Sequence, residues 1–236
     1  MPRIEALDSE SSDPRGGLTH QAIEDYLKSI YMLAQIESPV STSRVAEDRE
    51  VKPGSVTGML KRLASLNLVD YTKHQGVTLT PAGEKIALEV LRHHRLIETF
   101  LIEALGFTWD EVHEQADVLE HFISEKLEDR IAAALDHPEF DPHGAPIPTR
   151  EGIMPQLQTV PLAACQAGER RVVSRIREDE DAAMLRYLAD RGLRPGTEIE
   201  VLAVEPFQGP LTITIEGKEQ IIGHHVAQAI LMQHGD

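Results

Sequence analysis

The sequence predicts a mainly α-helical fold with a small β component: an N-terminal winged helix-turn-helix, a helical domain and a small C-terminal β-barrel. Three observations carry this. Residues 18–80 hold helical periodicity in three successive segments, then alternate through two short runs on either side of a turn. Residues 81–135 keep the helical period on both sides of Gly106. Residues 169–236 break into short apolar runs separated by close turns.

Leu18 to Ile36 places Ile23, Tyr26, Leu27, Ile30 and Leu33 on one face, with Thr19 as N-cap and Pro39 beyond its end. Ser41 then caps a short helix. A third helix opens at Pro53-Gly54, buries Val56, Met59, Leu60 and Leu63, and stops at Asn67. Leu68–Thr72 and Val77–Thr80 read as strands of a hairpin joined by Lys73-His74-Gln75-Gly76. This order describes a winged helix-turn-helix, whose third helix enters the DNA major groove. Its exposed positions, Lys52, Ser55, Thr57, Lys61 and Arg62, are small polar or cationic, as contacts to phosphates and base edges require. Lys73 stands at the wing tip. The same layout also occurs in folds that bind protein, and Lys73 and His74 can equally be ordinary turn residues.

Pro81 opens a long helix to Leu105, and Trp109-Asp110 open another expected to continue to about Leu135. Their apolar positions exceed what one pair of helices covers, which points to a dimer interface. Six prolines between Asp136 and Gly168 indicate a partly extended linker. Beyond it, Val172–Ile176, Glu198–Val204, Leu211–Ile215 and Gln220–Ile222 read as strands, and Asp181–Asp190 as a short helix ended by Gly192. The expected domains are therefore a disordered tail (1–17), a DNA-binding domain (18–80), a helical metal-binding and dimerisation domain (81–136), a linker (137–168) and the β module (169–236).

Composition bounds the function. The chain has 236 residues, 41% of them hydrophobic, and no apolar run near the roughly 20 residues of a membrane span. Its N-terminus is polar, and its one cysteine, Cys165, cannot form an internal disulfide. A cytoplasmic location and no membrane partner are expected. The net charge of -16 excludes a generally basic surface but not a local one. Residues 52–80 carry Lys52, Lys61, Arg62 and Lys73 against a lone Asp70, whereas residues 81–135 carry twelve acids against five Lys and Arg.

Chemistry concentrates between His94 and His121. His94 and Glu98 share one helix face; His113, Asp117 and Glu120-His121 line another. Imidazole and carboxylate at such spacing can close round a divalent cation, although an acidic helix with interspersed His is also an ordinary solvated face. A hydrolytic metalloenzyme is the competing class, but the sequence offers no separate nucleophile or substrate-cleft motif. No small-molecule substrate is expected.

The strings EDYLKSIYML, SVTGMLKRLASLNLV, TLTPAGEKIA, HHRLIE, VHEQADVLEH, GAPIP and LRYLADRGLRPGTEIEV, in this order and spacing, resemble the diphtheria toxin repressor family of metal-dependent regulators, from about Leu18 to Met232. The resemblance implies that the C-terminal module is SH3-like (FeoA-like). It also implies two metal sites: a primary one at Asp25, Asp117, Glu120 and His121, and an ancillary one at His94, Glu98 and His113, completed from the C-terminal module by Glu178. The iron-sensing branch carries Met and Cys where this chain has Asp25 and Asp117. Carboxylates suit hard Mn²⁺ better than soft sulfur does, so the chain is similar to the manganese-sensing branch. Some members of that branch add a Glu one turn after the first-helix Asp; Lys28 stands there instead, which argues against a two-metal cluster. The implied protein is a homodimeric repressor of manganese or iron uptake genes on an inverted-repeat operator in double-stranded DNA. Mn²⁺ is its expected effector, Fe²⁺ an alternative, and Co²⁺, Cd²⁺ or Zn²⁺ are surrogates. An iron- or zinc-responsive regulator of the same fold is the runner-up. His93, His224 and His225 are expected on the surface.

Overall fold

The computed structural model describes residues 19–177 and 181–234, so the expected tail at 1–17 and the acids Glu178, Asp179 and Glu180 lie outside the described residues. The chain divides into two compact units at Ala87/Leu88.

The first unit is built by its caps and apolar stripes. In α1 (His20–Ala34) the Thr19 hydroxyl accepts from the Ala22 N–H, and in α2 (Thr42–Asp48) Ser41 does the same for Arg44. Helix α3 (Pro53–Ser65) starts on a proline, whose missing N–H costs nothing there. Strands β1 (Val69–Thr72) and β2 (Gly76–Leu79) pair antiparallel with Val69 opposite Leu79. Leu27, Ile30, Val45, Val56, Leu60, Leu63 and Val77 are wholly buried in its core. Helix α4 (Pro81–Leu105) begins here, and a Cβ at Gly83 would fall 2.0 Å from the Leu68 carbonyl oxygen, so only glycine lets the helix leave the hairpin at this distance. The winged helix-turn-helix is present as read.

In the second unit the helical domain differs from expectation. The helix anticipated from Trp109 to Leu135 is two: α5 (Val112–Leu119) and α6 (Glu125–Ala134). Ser124 interrupts them by taking an extended conformation and accepting from the Leu127 N–H, and Glu125 and Glu128 complement the new N-terminus. Glu120 and His121 therefore sit in a turn rather than mid-helix. The middle of α4 is buried all round, from His93 to Thr99. Leu96 packs with Ile131, Ala132 and Ile147, and Ile97 and Leu101 with Val112 and Ala116.

The C-terminal module is a six-stranded antiparallel sheet in the order β3-β8-β4-β5-β6-β7: β3 (Thr159–Pro161), β4 (Arg170–Ile176), β5 (Glu198–Val204), β6 (Leu211–Ile215), β7 (Lys218–Ile222) and β8 (Ile230–Gln233). Bulges between Val173 and Arg175 and between Val201 and Ala203 bend it, as a small barrel requires. Helices α7 (Ala182–Asp190) and α8 (His224–Ala229) complete it. Sequence periodicity missed β3, three residues ending in proline, and β8, whose buried Ile230-Leu231-Met232 run does not alternate.

Part of the stretch 137–168, read as a linker, is packed into the unit. Asp141 and every residue from His143 to Pro148 are buried. The His143 carbonyl accepts from the Ile176 N–H at 2.9 Å, and a Cβ at Gly144 would lie 2.1 Å from the Ser174 carbonyl oxygen. The segment thus packs against strand β4 of the barrel within the unit.

Candidate metal centre

A helix buried on every side is normally apolar, yet α4 buries His93, His94, Arg95, Glu98 and Thr99. Each must find a partner, because an unpaired polar group away from water costs several kcal/mol. Those of His94 and Glu98 converge on one locus.

His94 is its hinge. Its Nε2 lies 3.0 Å from Glu98 Oε1 and 3.1 Å from His113 Nδ1; its Nδ1 lies 2.5 Å from Glu120 Oε2 and 3.4 Å from Asp117 Oδ1. The His94 and His113 rings meet edge to face at 4.7 Å. His113 Nδ1 is 3.3 Å from Glu98 Oε1 and its Nε2 is 3.6 Å from Asp117 Oδ2. His121 Nε2 lies 3.5 Å from Glu120 Oε1. Residues expected to form two separate sites are therefore continuous through one imidazole. One donor atom each from His94, His113 and Asp117 falls within 4.8 Å of the others, the spread a single cation can gather.

A second such group is Glu98, Asp141 and His143, all buried, with His143 Nδ1 3.8 Å from Glu98 Oε2. Asp141 also receives Arg95 and caps the backbone of His143 and Ala145. Sequence reading overlooked both residues because they lie in the proline-rich stretch taken for a linker. Glu178, the expected ancillary ligand, lies outside the described residues. Burial pushes the Glu98 carboxyl up, but the His94 charge and hydrogen bonds from His113, His143 and His94 outweigh it and hold Glu98 well below the usual carboxylate range. Glu98 is an anion, as a cation ligand must be.

His93, expected on the surface, is buried. Its Nδ1 is 3.1 Å from the Glu120 carbonyl oxygen and its Nε2 3.2 Å from Glu128 Oε2. Arg92 Nε donates to Glu128 Oε1, and its Nη1 to the Pro148 carbonyl. Burial raises the Glu128 carboxyl, but His93 and Arg92 overcome this and bring it to about 2. The Glu120 carbonyl can only accept, so Nδ1 of His93 donates to it.

Asp25 belongs to the first unit. It is half-buried on α1 and accepts from Arg49 Nη2 at 2.8 Å. On the nucleic-acid side, Lys52, Ser55, Lys61 and Arg62 are exposed along α3 and Lys73 at the hairpin tip. Thr57 is half-buried, and its hydroxyl donates to the Pro53 carbonyl.

Three family profiles cover the chain. Residues 18–77 match the N-terminal DNA-binding domain of iron-dependent repressors, 80–149 their metal-binding and dimerisation domain, and 160–234 the FeoA domain. A solved manganese-dependent transcriptional repressor in complex with manganese is 41% identical over 89% of this chain and 99% of its own, with a TM-score of 0.82. The chain belongs to the iron-dependent repressor family. Among other members of that family, the manganese regulator SloR is 33% identical over 90% of this chain and 98% of its own, at a TM-score of 0.73. The iron-dependent repressor IdeR of Mycobacterium tuberculosis is 29% identical over 89% of this chain and 96% of its own length. The iron-dependent repressor family consists of DNA-binding regulators, so the hydrolase alternative falls away. No helix among the described residues is long and apolar enough to cross a membrane.

Proposed function

We propose that this protein is a homodimeric, Mn²⁺-responsive repressor of metal-uptake genes, acting at an inverted-repeat operator in double-stranded DNA. The run of donors joined through His94 carries the reading, because it gathers carboxylates and imidazoles against a buried helix, where a cation balances the carboxylates. By the family pattern, Asp25, Asp117, Glu120 and His121 hold the primary ion. His94, Glu98 and His113 hold the ancillary one, with Asp141 and His143 beside Glu98 as the further donors. Oxygen donors at Asp25 and Asp117 favour Mn²⁺ over softer metals. A bound cation supplies positive charge among carboxylates that otherwise repel one another.

Asp25 is the link to DNA binding in this reading. It lies on α1 and is tied by Arg49 to the end of α2, next to the recognition helix α3, so a ligand that engages Asp25 acts on the helix-turn-helix. Lys52, Ser55, Thr57, Lys61, Arg62 and Lys73 contact the duplex. Metal favours the DNA-competent form only through its differential affinity for it; a hundredfold preference is worth about 2.7 kcal/mol.

The deciding experiment measures binding to an operator selected from a random DNA pool, across divalent metals at buffered free concentrations. Mn²⁺ is expected to activate most effectively. Stronger activation by Fe²⁺ or Zn²⁺ at its matched free concentration moves the assignment to an iron- or zinc-responsive regulator, an alternative that the likeness to iron-dependent relatives keeps in view. Co²⁺ and Cd²⁺ serve as surrogates in the same panel.

A further inference from the structure

We propose that His93, held by Glu128, is a positioning residue for the metal site: it fixes the turn that presents Glu120 and His121. The inference rests on the ligand assignment above. Glu120 ends α5, where carbonyls run out of helical partners. Its carbonyl is met by the Nδ1–H of His93 at 3.1 Å, while its own carboxylate reaches His94 Nδ1 at 2.5 Å, so consecutive residues of α4 hold the main chain and the side chain of one ligand. Arg92 anchors Glu128 and reaches the Pro148 carbonyl, which makes a buried chain from Pro148 through Arg92, Glu128 and His93 to Glu120. All its side chains but that of Arg92 are buried, and Arg92 is half-buried. Without this chain the five residues from Glu120 to Ser124 have no regular structure to keep two ligands in place. A residue that orients a ligand without touching the ion commonly changes affinity on the order of 10–100-fold.

The two ring nitrogens do different jobs, so two variants separate them. Asn at 93 puts an amide where Nδ1 stands and keeps the donor to the Glu120 carbonyl; Gln reaches toward Nε2 and Glu128 and loses it. Mn²⁺ binding to the purified full chain is followed by calorimetry, with Glu120→Ala defining the binding event that belongs to this site, and the melting temperature of each metal-free protein is recorded alongside. Expected are a loss of 10–100-fold for His93→Gln and a smaller loss for His93→Asn, which keeps the donor to Glu120 but gives up Glu128, with each metal-free protein still melting in one cooperative transition. Glu128→Gln keeps the side chain's size, carries the same expected loss, and substitutes if His93→Gln does not fold. Native affinity in His93→Gln and Glu128→Gln, with the event still lost in Glu120→Ala, overturns the positioning role and leaves the site standing. An event that survives Glu120→Ala overturns the ligand assignment and this inference with it.

Discussion

Nδ1 of His94 and Oε2 of Glu120 lie 2.5 Å apart, although 26 residues separate them in the chain. The contact joins a residue expected at the primary site to one expected at the ancillary site. Replacing Glu120 with Ala removes the oxygen at the centre of this contact. Both Glu120→Ala and Asp25→Ala are expected to abolish metal-dependent operator binding in a gel shift while the far-ultraviolet circular dichroism spectrum stays native. Unchanged binding in either variant removes that residue from the ligand set.

The hard-donor argument is tested by the double replacement Asp25→Met and Asp117→Cys. Thioether and thiolate favour later transition metals, so the order of activating metals is expected to shift toward Fe²⁺ or Co²⁺. An unaltered order in the metal panel contradicts the proposed basis of selectivity.

Lys61 is exposed on α3, and its ammonium is a point charge without the planar fork of arginine. Lys61→Ala is expected to weaken binding on all sequences alike and to lower the slope of log affinity against log salt by about 1, the signature of one lost phosphate contact. A slope that steepens excludes that role.

Glu128 gives a pH prediction with a definite sign. Its carboxyl falls from 4.5 to about 2 on folding, so it stabilises the fold fully above about 4.5 and loses that contribution as pH falls toward 2. The difference is on the order of 3 kcal/mol. Urea melts between pH 2 and 5 are expected to show a shallower acid destabilisation for Glu128→Gln than for the native chain.

Val118, Leu119 and Phe122 expose apolar side chains on α5 and the turn after it, Phe122 by 74%. Such a patch on a dimerisation domain is expected to be the contact between copies. Phe122→Glu is expected to give a monomer by sedimentation equilibrium with its helical content intact.

Much of this was legible in the sequence because period and caps act locally. Thr19, Ser41 and Pro53 start helices where their chemistry requires, and Val56, Met59, Leu60 and Leu63 form the stripe that their spacing implies. His94, Glu98 and His113 stood out through spacing as well. What stayed hidden depends on contacts distant in the chain. His93 reads as a surface residue until Glu128 closes over it, and Asp141 and His143 read as linker until α4 and β4 enclose them. The break at Ser124 left a faint trace in the following acids, outweighed by an unbroken apolar period. Strand β8 gave none, since a strand buried on both faces does not alternate.

Trp109 precedes α5, yet its ring belongs to the apolar cluster of the barrel, with its indole N–H donated to the Pro142 carbonyl and its face stacked on His143 at 5.1 Å. As the chain's sole tryptophan, it makes the protein its own fluorophore at this seam. Emission colour therefore records directly whether the barrel is seated on the helical domain, with no label attached.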